Sequence, residues 1–256
     1  MSYPNFKNKY LEQALFDPKN DVNWKNLSIK NHKKIPKKLI LFYDQKILNY
    51  FKKRYNPEQI KLYRLLTVYK YKDVGVVCVT GIGAPHATTV LEGLIALGAK
   101  EFISIGSAGG LKYFGTFLCE KSIRDEGTSS HYIPHKKFAF PDKGLTKRLA
   151  KYLQQNNIPF QKTTSWTIDA IYRETKAEVQ KYKKQNVATV EMESSALFVV
   201  AQFRKVKIAS AFVVSDVLAD RNWETQFNTK YLTQELNNLF EASLACLLEK
   251  RLPNTR

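Results

Sequence analysis

The sequence predicts an α/β fold with helices on both faces of a sheet. Three observations carry that expectation. Short β-branched runs such as VGVVCVT (74–80) and IASAFVV (208–214) alternate with stretches of helical spacing. The alternation starts near residue 38 and meets no internal repeat and no Gly/Ser-rich or Pro-rich linker. At 256 residues, 44% hydrophobic and 25% charged, the chain can fill one continuous core.

The elements follow in order. Residues 1–37 are polar, spiked with aromatics and end in the basic NHKKIPKK, so they read as an N-terminal extension with one short helix near 5–15. Residues 38–256 form the single main domain. LILFY (39–43) is a strand, and 45–54 has helical spacing. Leu62–Tyr69 reads as one strand and Val74–Thr80 as the next. Ala84–Leu97 is a helix with Pro85 in its first turn, Val90, Leu91, Leu94 and Leu97 on one face, and Gly98 as its stop. EFISI (101–105) is a strand running into Gly106-Ser107-Ala108-Gly109-Gly110, read as a turn. A strand near 117–123 precedes a long loop. Residues 143–155 are helical, 160–164 a strand, 175–184 a charged helix and 187–190 a short strand. The apolar stretch 193–204 is a buried helix, 208–214 a buried strand, and 226–250 an amphipathic closing helix.

Composition excludes several classes. The formal net charge is +18, from 41 Lys plus Arg against 23 Asp plus Glu. The lysines are spread along the chain, often as pairs such as Lys52–Lys53 and Lys183–Lys184, the pattern of a solvated surface. No nucleic-acid-binding motif accompanies them, so no nucleic-acid partner is expected. A positive field also draws in small anions such as phosphate. No apolar run reaches the roughly 18 residues of a membrane helix, and the first residues lack an apolar signal region. Three scattered cysteines make a poor disulfide framework. The expectation is a cytoplasmic protein with no membrane partner, and no metal-ligand spacing is present.

Ligands of open α/β sheets lie outside the carboxyl ends of strands. That rule selects Thr80-Gly81-Ile82-Gly83, Gly106-Ser107-Ala108-Gly109-Gly110, Glu191-Met192-Glu193 and Ser215-Asp216. Glycine turns let backbone N–H groups approach a ligand, and Ser107 adds a hydroxyl. A Glu at the opening turn of a buried helix is expensive unless paired or bound, and it suits a vicinal diol; it equally suits the helix dipole. Asp216 ends a buried strand, a desolvated setting that suits a general acid or, alternatively, a helix cap.

TGIGAP (80–85), IGSAGGL (105–111), VEMES (190–194) and SDVLAD (215–220), in that order, resemble the hexameric nucleoside phosphorylase family. That family includes purine nucleoside phosphorylase, uridine phosphorylase and methylthioadenosine nucleosidase. RDEGTSSHY (124–132) and SWTIDAIYRET (165–175) look like its uridine-phosphorylase-like branch. The resemblance implies a three-layer α/β/α fold with a mixed central sheet. It implies a pentosyltransferase that cleaves a nucleoside with inorganic phosphate as co-substrate, with no organic cofactor, and assembles as a homodimer or homohexamer. Position by position, Glu193 with Glu191 and Met192 matches the ribose site. Ser107 and Gly106 match the phosphate site, and Asp216 matches the acid that protonates a purine. Ile171, Tyr172 and Arg173 fall near the base-recognition segment. The family's phosphorylases carry an arginine where this chain has Ser104, and a Gly-Asp-Pro-x-Arg turn that residues 42–46 lack; Lys46, Arg124 or Arg173 are the candidates to replace that charge. Hydrolysis by water and a catalytically dead nucleoside-binding protein stay open as alternatives, as does purine against pyrimidine preference.

Overall fold

The computed structural model describes residues 4–6, 8–20, 35–63, 66–218 and 223–250. The strands are β1 (Lys38–Phe42), β2 (Glu58–Tyr63), β3 (Leu66–Tyr71), β4 (Val74–Cys78), β5 (Glu101–Gly110), β6 (Thr116–Asp125), β7 (Phe138–Ala139), β8 (Gln161–Ile168), β9 (Val187–Glu191), β10 (Lys207–Leu218) and β11 (Trp223–Thr225). The α-helices are α1 (Gln45–Tyr55), α2 (Ala84–Ala96), α3 (Lys143–Gln155), α4 (Lys176–Lys184), α5 (Ser194–Phe203) and α6 (Lys230–Leu248).

One mixed sheet runs β11-β10-β6-β8-β9-β5-β1-β4-β3-β2, with β7 on β6. β10 also pairs β5 in parallel, which closes β5, β10, β6, β8 and β9 into a barrel. On one face α2 and α5 bury Leu91, Leu94, Leu197 and Phe198. On the other, α1, α3 and α6 bury Phe51, Leu149 and Phe240. α4 packs Val179 and Tyr182 against Trp166. The three-layer α/β/α fold with a mixed sheet is thus the one the resemblance implies. Local chemistry sets the helix starts: Asp44, Asp142 and Thr229 each accept a backbone N–H of the first turn, and Thr175 with Glu178 forms a capping box.

The differences from the sequence reading have physical causes. Leu62–Tyr69 is not one strand: β2 and β3 form a hairpin, with Tyr63 opposite Leu66. No Gly, Pro or Asn marks that turn, so the apolar alternation runs through it. β5 does not stop at Ile105 but continues through Gly110, because its glycines admit close neighbours. A Cβ on Gly110 would lie 2.7 Å from Val214 Cγ1, and one on Gly109 would lie 2.9 Å from Val190 Cγ1. β10 likewise runs past Val214, through a bulge at Ser215, to Leu218. The closing helix begins at Lys230, after β11. In place of a helix over 5–15 there is a single 3-10 turn at Lys9–Leu11, since isolated short helices do not sustain themselves. Residues 219–220 of SDVLAD lie outside the described residues.

Candidate active site

The site is centred where β9 meets α5. β9 runs antiparallel to β5, with Val190 opposite Gly109 and Thr189 opposite Gly110. Continued two residues, that register brings Met192 to the level of Ser107.

The two carboxylates of the Glu-Met-Glu turn do different work. Glu193 is the N-cap residue of α5, yet its side chain does not cap the helix. Its Oε1 instead accepts the Gly83 N–H at 2.6 Å. Gly83 sits at φ 94°, a conformation that favours glycine, and so presents its N–H to the carboxylate. Burial, then the charge of Glu191, push the Glu193 carboxyl up to about 7, against the Gly83 and Met192 N–H groups.

Glu191 performs the capping. Its Oε2 accepts the N–H groups of Glu193 at 2.9 Å and Ser194 at 2.7 Å. Its Oε1 accepts Thr167 Oγ1 at 2.5 Å and Ser165 Oγ at 3.3 Å. Burial raises its pKa while these donors oppose the rise. With 7% of its surface exposed, Glu191 has both oxygens engaged by donors of the protein itself, which positions the turn. The network continues outward. Ser195 donates its N–H to Thr167 and its hydroxyl to Glu126, and Glu126 also accepts the Ser129 N–H.

Arg124 is tied into this network through Ser129. It is 4% exposed; Nε donates to Ser129 Oγ at 2.8 Å and Nη1 to the Pro134 carbonyl at 2.9 Å. Nη2 is buried without a hydrogen-bond partner among the described residues. Burial lowers its pKa and Glu126 opposes the fall. Lys46 is exposed in the first turn of α1, and its Nζ donates to Asn228 Oδ1 at 2.8 Å, tying that turn to the one before α6.

Ser107 is exposed on β5 beside the buried Gly106. At Ser104 on the same strand two hydroxyls meet: Tyr43 and Ser104 lie 3.4 Å apart. A Cβ on Gly106 would come within 3.3 Å of the Tyr43 ring. Burial and then the charge of Glu193 hold the Tyr43 hydroxyl well above its ordinary pKa, so it is a neutral donor.

Asp216 lies inside β10, just past the bulge, and does not cap a helix. Its Oδ1 accepts Ser215 Oγ at 2.7 Å, and its Oδ2 would lie 3.8 Å from a Cβ on Gly109. Asp216 and Ser107 therefore flank one short stretch of β5. Glu174 is a residue the sequence reading missed. It follows the 3-10 turn Ile171–Arg173, and its carboxyl is pushed up to about 7 by burial, then by the charges of Asp216 and Glu178. It was legible only as a carboxylate inside the IYRET run.

The base-recognition candidates are less enclosed. Ile171 is half-exposed and Tyr172 is 96% exposed. Arg173 lines a shallow cavity of about 430 Å³ with Asp125, Asp169 and Glu178. His131 sits 3.0 Å from Lys9 Nζ of the N-terminal segment. Among the described residues no group of three or more His, Cys, Asp or Glu is placed to hold a metal ion, and no helix is long and apolar enough to cross a membrane.

Glu193 at the start of α5, Ser107 on β5 and Asp216 on the neighbouring β10 are the polar groups these elements supply. Comparison with known proteins gives the family. The chain is 30% identical to purine nucleoside phosphorylase of Plasmodium falciparum over 69% of its length and 75% of the relative's. It is 33% identical to uridine phosphorylase of Treponema pallidum over 53% of its length and 58% of the relative's. Among solved structures, the AMP nucleosidase of Bacteroides thetaiotaomicron shares the fold, with a TM-score of 0.73 and 19% identity over 92% of this chain and 100% of that one. Residues 41–247 match the Phosphorylase superfamily, and the chain belongs to that family. The pentosyltransferase class implied by the sequence resemblance accords with that membership.

Proposed function

We propose that the chain is a nucleoside phosphorylase, transferring the ribosyl group of a nucleoside from its base to inorganic phosphate. The observation that supports this reading is the buried carboxylate of Glu193 at the start of α5, with Asp216 opposite Gly109 two residues from Ser107 on β5. In this scheme Glu193 accepts the ribose hydroxyls and Met192 lies against the sugar. Ser107 with the Gly106 backbone holds phosphate for attack on C1′, and Lys46 is the candidate cation. As the C1′–N bond breaks and positive charge develops on the ribose, Asp216 delivers its proton to the departing base. The products are free base and ribose-1-phosphate. The names of the relatives, purine and uridine phosphorylases, support phosphate as acceptor.

A second reading, hydrolysis, is favoured by one specific feature. The Tyr43–Ser104 hydroxyl pair offers neutral hydrogen bonds that suit a water molecule, where a phosphate dianion is better served by a guanidinium. The test is turnover of inosine, adenosine and uridine across a phosphate titration. A saturable rise with phosphate and recovery of ribose-1-phosphate support phosphorolysis. Undiminished base release without phosphate, with free ribose as product, moves the chain to the nucleosidases; no base release at all leaves a binding protein. We further propose a cytoplasmic homo-oligomer. Its three cysteines are free, as a reducing compartment keeps them, and Ile82, Ile171 and Tyr172 leave apolar surface around the site for a second copy to cover. Sedimentation velocity checks the assembly.

A further inference from the structure

Away from the nucleoside site, α3 leans over the amino-terminal half of β8 and encloses a cavity of about 710 Å³. That is the size of small-molecule pockets. Its lining shares no residue with the site described above. The walls carry four lysines, Lys121, Lys143, Lys147 and Lys162, against one carboxylate, Glu120. Glu120 is already engaged, 3.0 Å from Lys162. The floor includes the buried Leu118 and the half-buried Ala150, and the ring of Phe140, 57% exposed, stands at the lip.

Lys143, Lys147 and Lys162 are exposed around this concavity. Lys143 is the first residue of α3 and Lys147 lies one turn on, with no acidic residue in the first turn. The N-cap carboxylate of Asp142 already accepts the Leu145 N–H at 2.7 Å, so it is engaged with the helix backbone. Lys162 and Lys121 enter from adjoining strands, opposite Leu118 and Thr164 in the register. Four lysines from a helix and two strands thus line one concavity beside an exposed aromatic ring, with Lys162 Nζ paired to Glu120 and Lys121 Nζ 4.7 Å over the Phe138 ring.

We propose that this cavity is a second ligand site, taking a small phosphorylated molecule with a flat ring, such as a nucleoside diphosphate. The phosphates lie among Lys143, Lys147, Lys162 and Lys121, and the ring packs on Phe140 and Pro141. Because the cavity is separate from Glu193, this inference stands or falls apart from the proposed activity.

The probes are ADP, adenosine and inorganic pyrophosphate, titrated calorimetrically into the full chain at physiological salt. ADP binds, pyrophosphate binds more weakly, and ADP binding persists in Glu193→Ala. In the double variant Lys143→Glu/Lys147→Glu, ADP affinity falls at least tenfold while nucleoside turnover and the thermal midpoint are unchanged. Phe140→Ala weakens ADP and leaves pyrophosphate unaffected. Equal ADP affinity in the charge-reversed variant, or no ADP binding by the wild type, overturns the proposal. So does binding of unstructured RNA at the same lysines with greater affinity than ADP, which makes the surface a general polyanion contact.

Discussion

The two ends of the site are built differently. At the β9–α5 junction, Glu191, Thr167, Ser195 and Glu126 use one another's donors and acceptors inside the protein. At the 169–174 turn, Ile171 and Tyr172 face outward, and the one carboxylate turned inward, Glu174, is held near Asp216 mainly against its own charge. In the proposed reading, the sugar end is pre-organised by this chain's own core, while the base end is open.

The largest effect expected from breaking the sugar end is at Glu193. Its charge-assisted bonds to a diol contribute about 1.5–3 kcal/mol each. Glu193→Ala then lowers kcat/KM on all nucleosides by about 10²–10⁴-fold, while thermal melting still shows a folded protein. Near-normal kcat/KM would remove Glu193 from the ribose site. At the base end, Asp216→Asn keeps the shape but removes the transferable proton. Steady-state kinetics should show kcat on inosine falling about 10²–10⁴-fold, with a smaller loss on uridine, which has no N7. Equal losses on both substrates would make Asp216 a structural residue.

Glu191 separates scaffold from ligand. Glu191→Ala leaves two backbone N–H groups and two hydroxyls without their acceptor, and urea unfolding should register a loss of about 2–4 kcal/mol. A variant as stable as wild type would contradict the positioning role. A milder effect comes with pH. Glu193 and Glu174 have carboxyls raised from 4.5 to about 7 by burial and like charge. The folded state holds these protons more tightly, so their contribution to stability is present below about pH 4.5 and is lost as pH rises towards 7. The diol needs the ionised form of Glu193, so KM for inosine should fall about tenfold between pH 6 and 8. Glu193→Gln should flatten that profile and Glu174→Gln should not; a profile unchanged in Glu193→Gln assigns the titration elsewhere. The smallest effect is at Tyr172, where replacement by Ala in so exposed a position changes turnover less than about threefold.

The alternation of apolar runs made the three layers legible, and the motif order placed Glu193, Ser107 and Asp216 at one sheet edge. What the sequence hid were consequences of barrel closure. Gly106–Gly110 has the composition of a turn, and only the close approach of Val190 and Val214 makes it a strand. Glu191 and Glu193 are the same residue type two positions apart, and nothing local states which one the helix N-terminus consumes. Arg124 carries charge like any phosphate ligand; its burial against Ser129 and Pro134 depends on a loop that closes ten residues later.

The central claim is that Glu193 reads the sugar while Glu191 only builds the turn that holds it. The most direct test compares kcat/KM for inosine and 2′,3′-dideoxyinosine in the wild type, Glu193→Gln and Glu191→Gln. The preference for inosine should collapse in Glu193→Gln and persist in Glu191→Gln even where its overall rate falls. A preference that survives Glu193→Gln and disappears in Glu191→Gln would contradict the assignment.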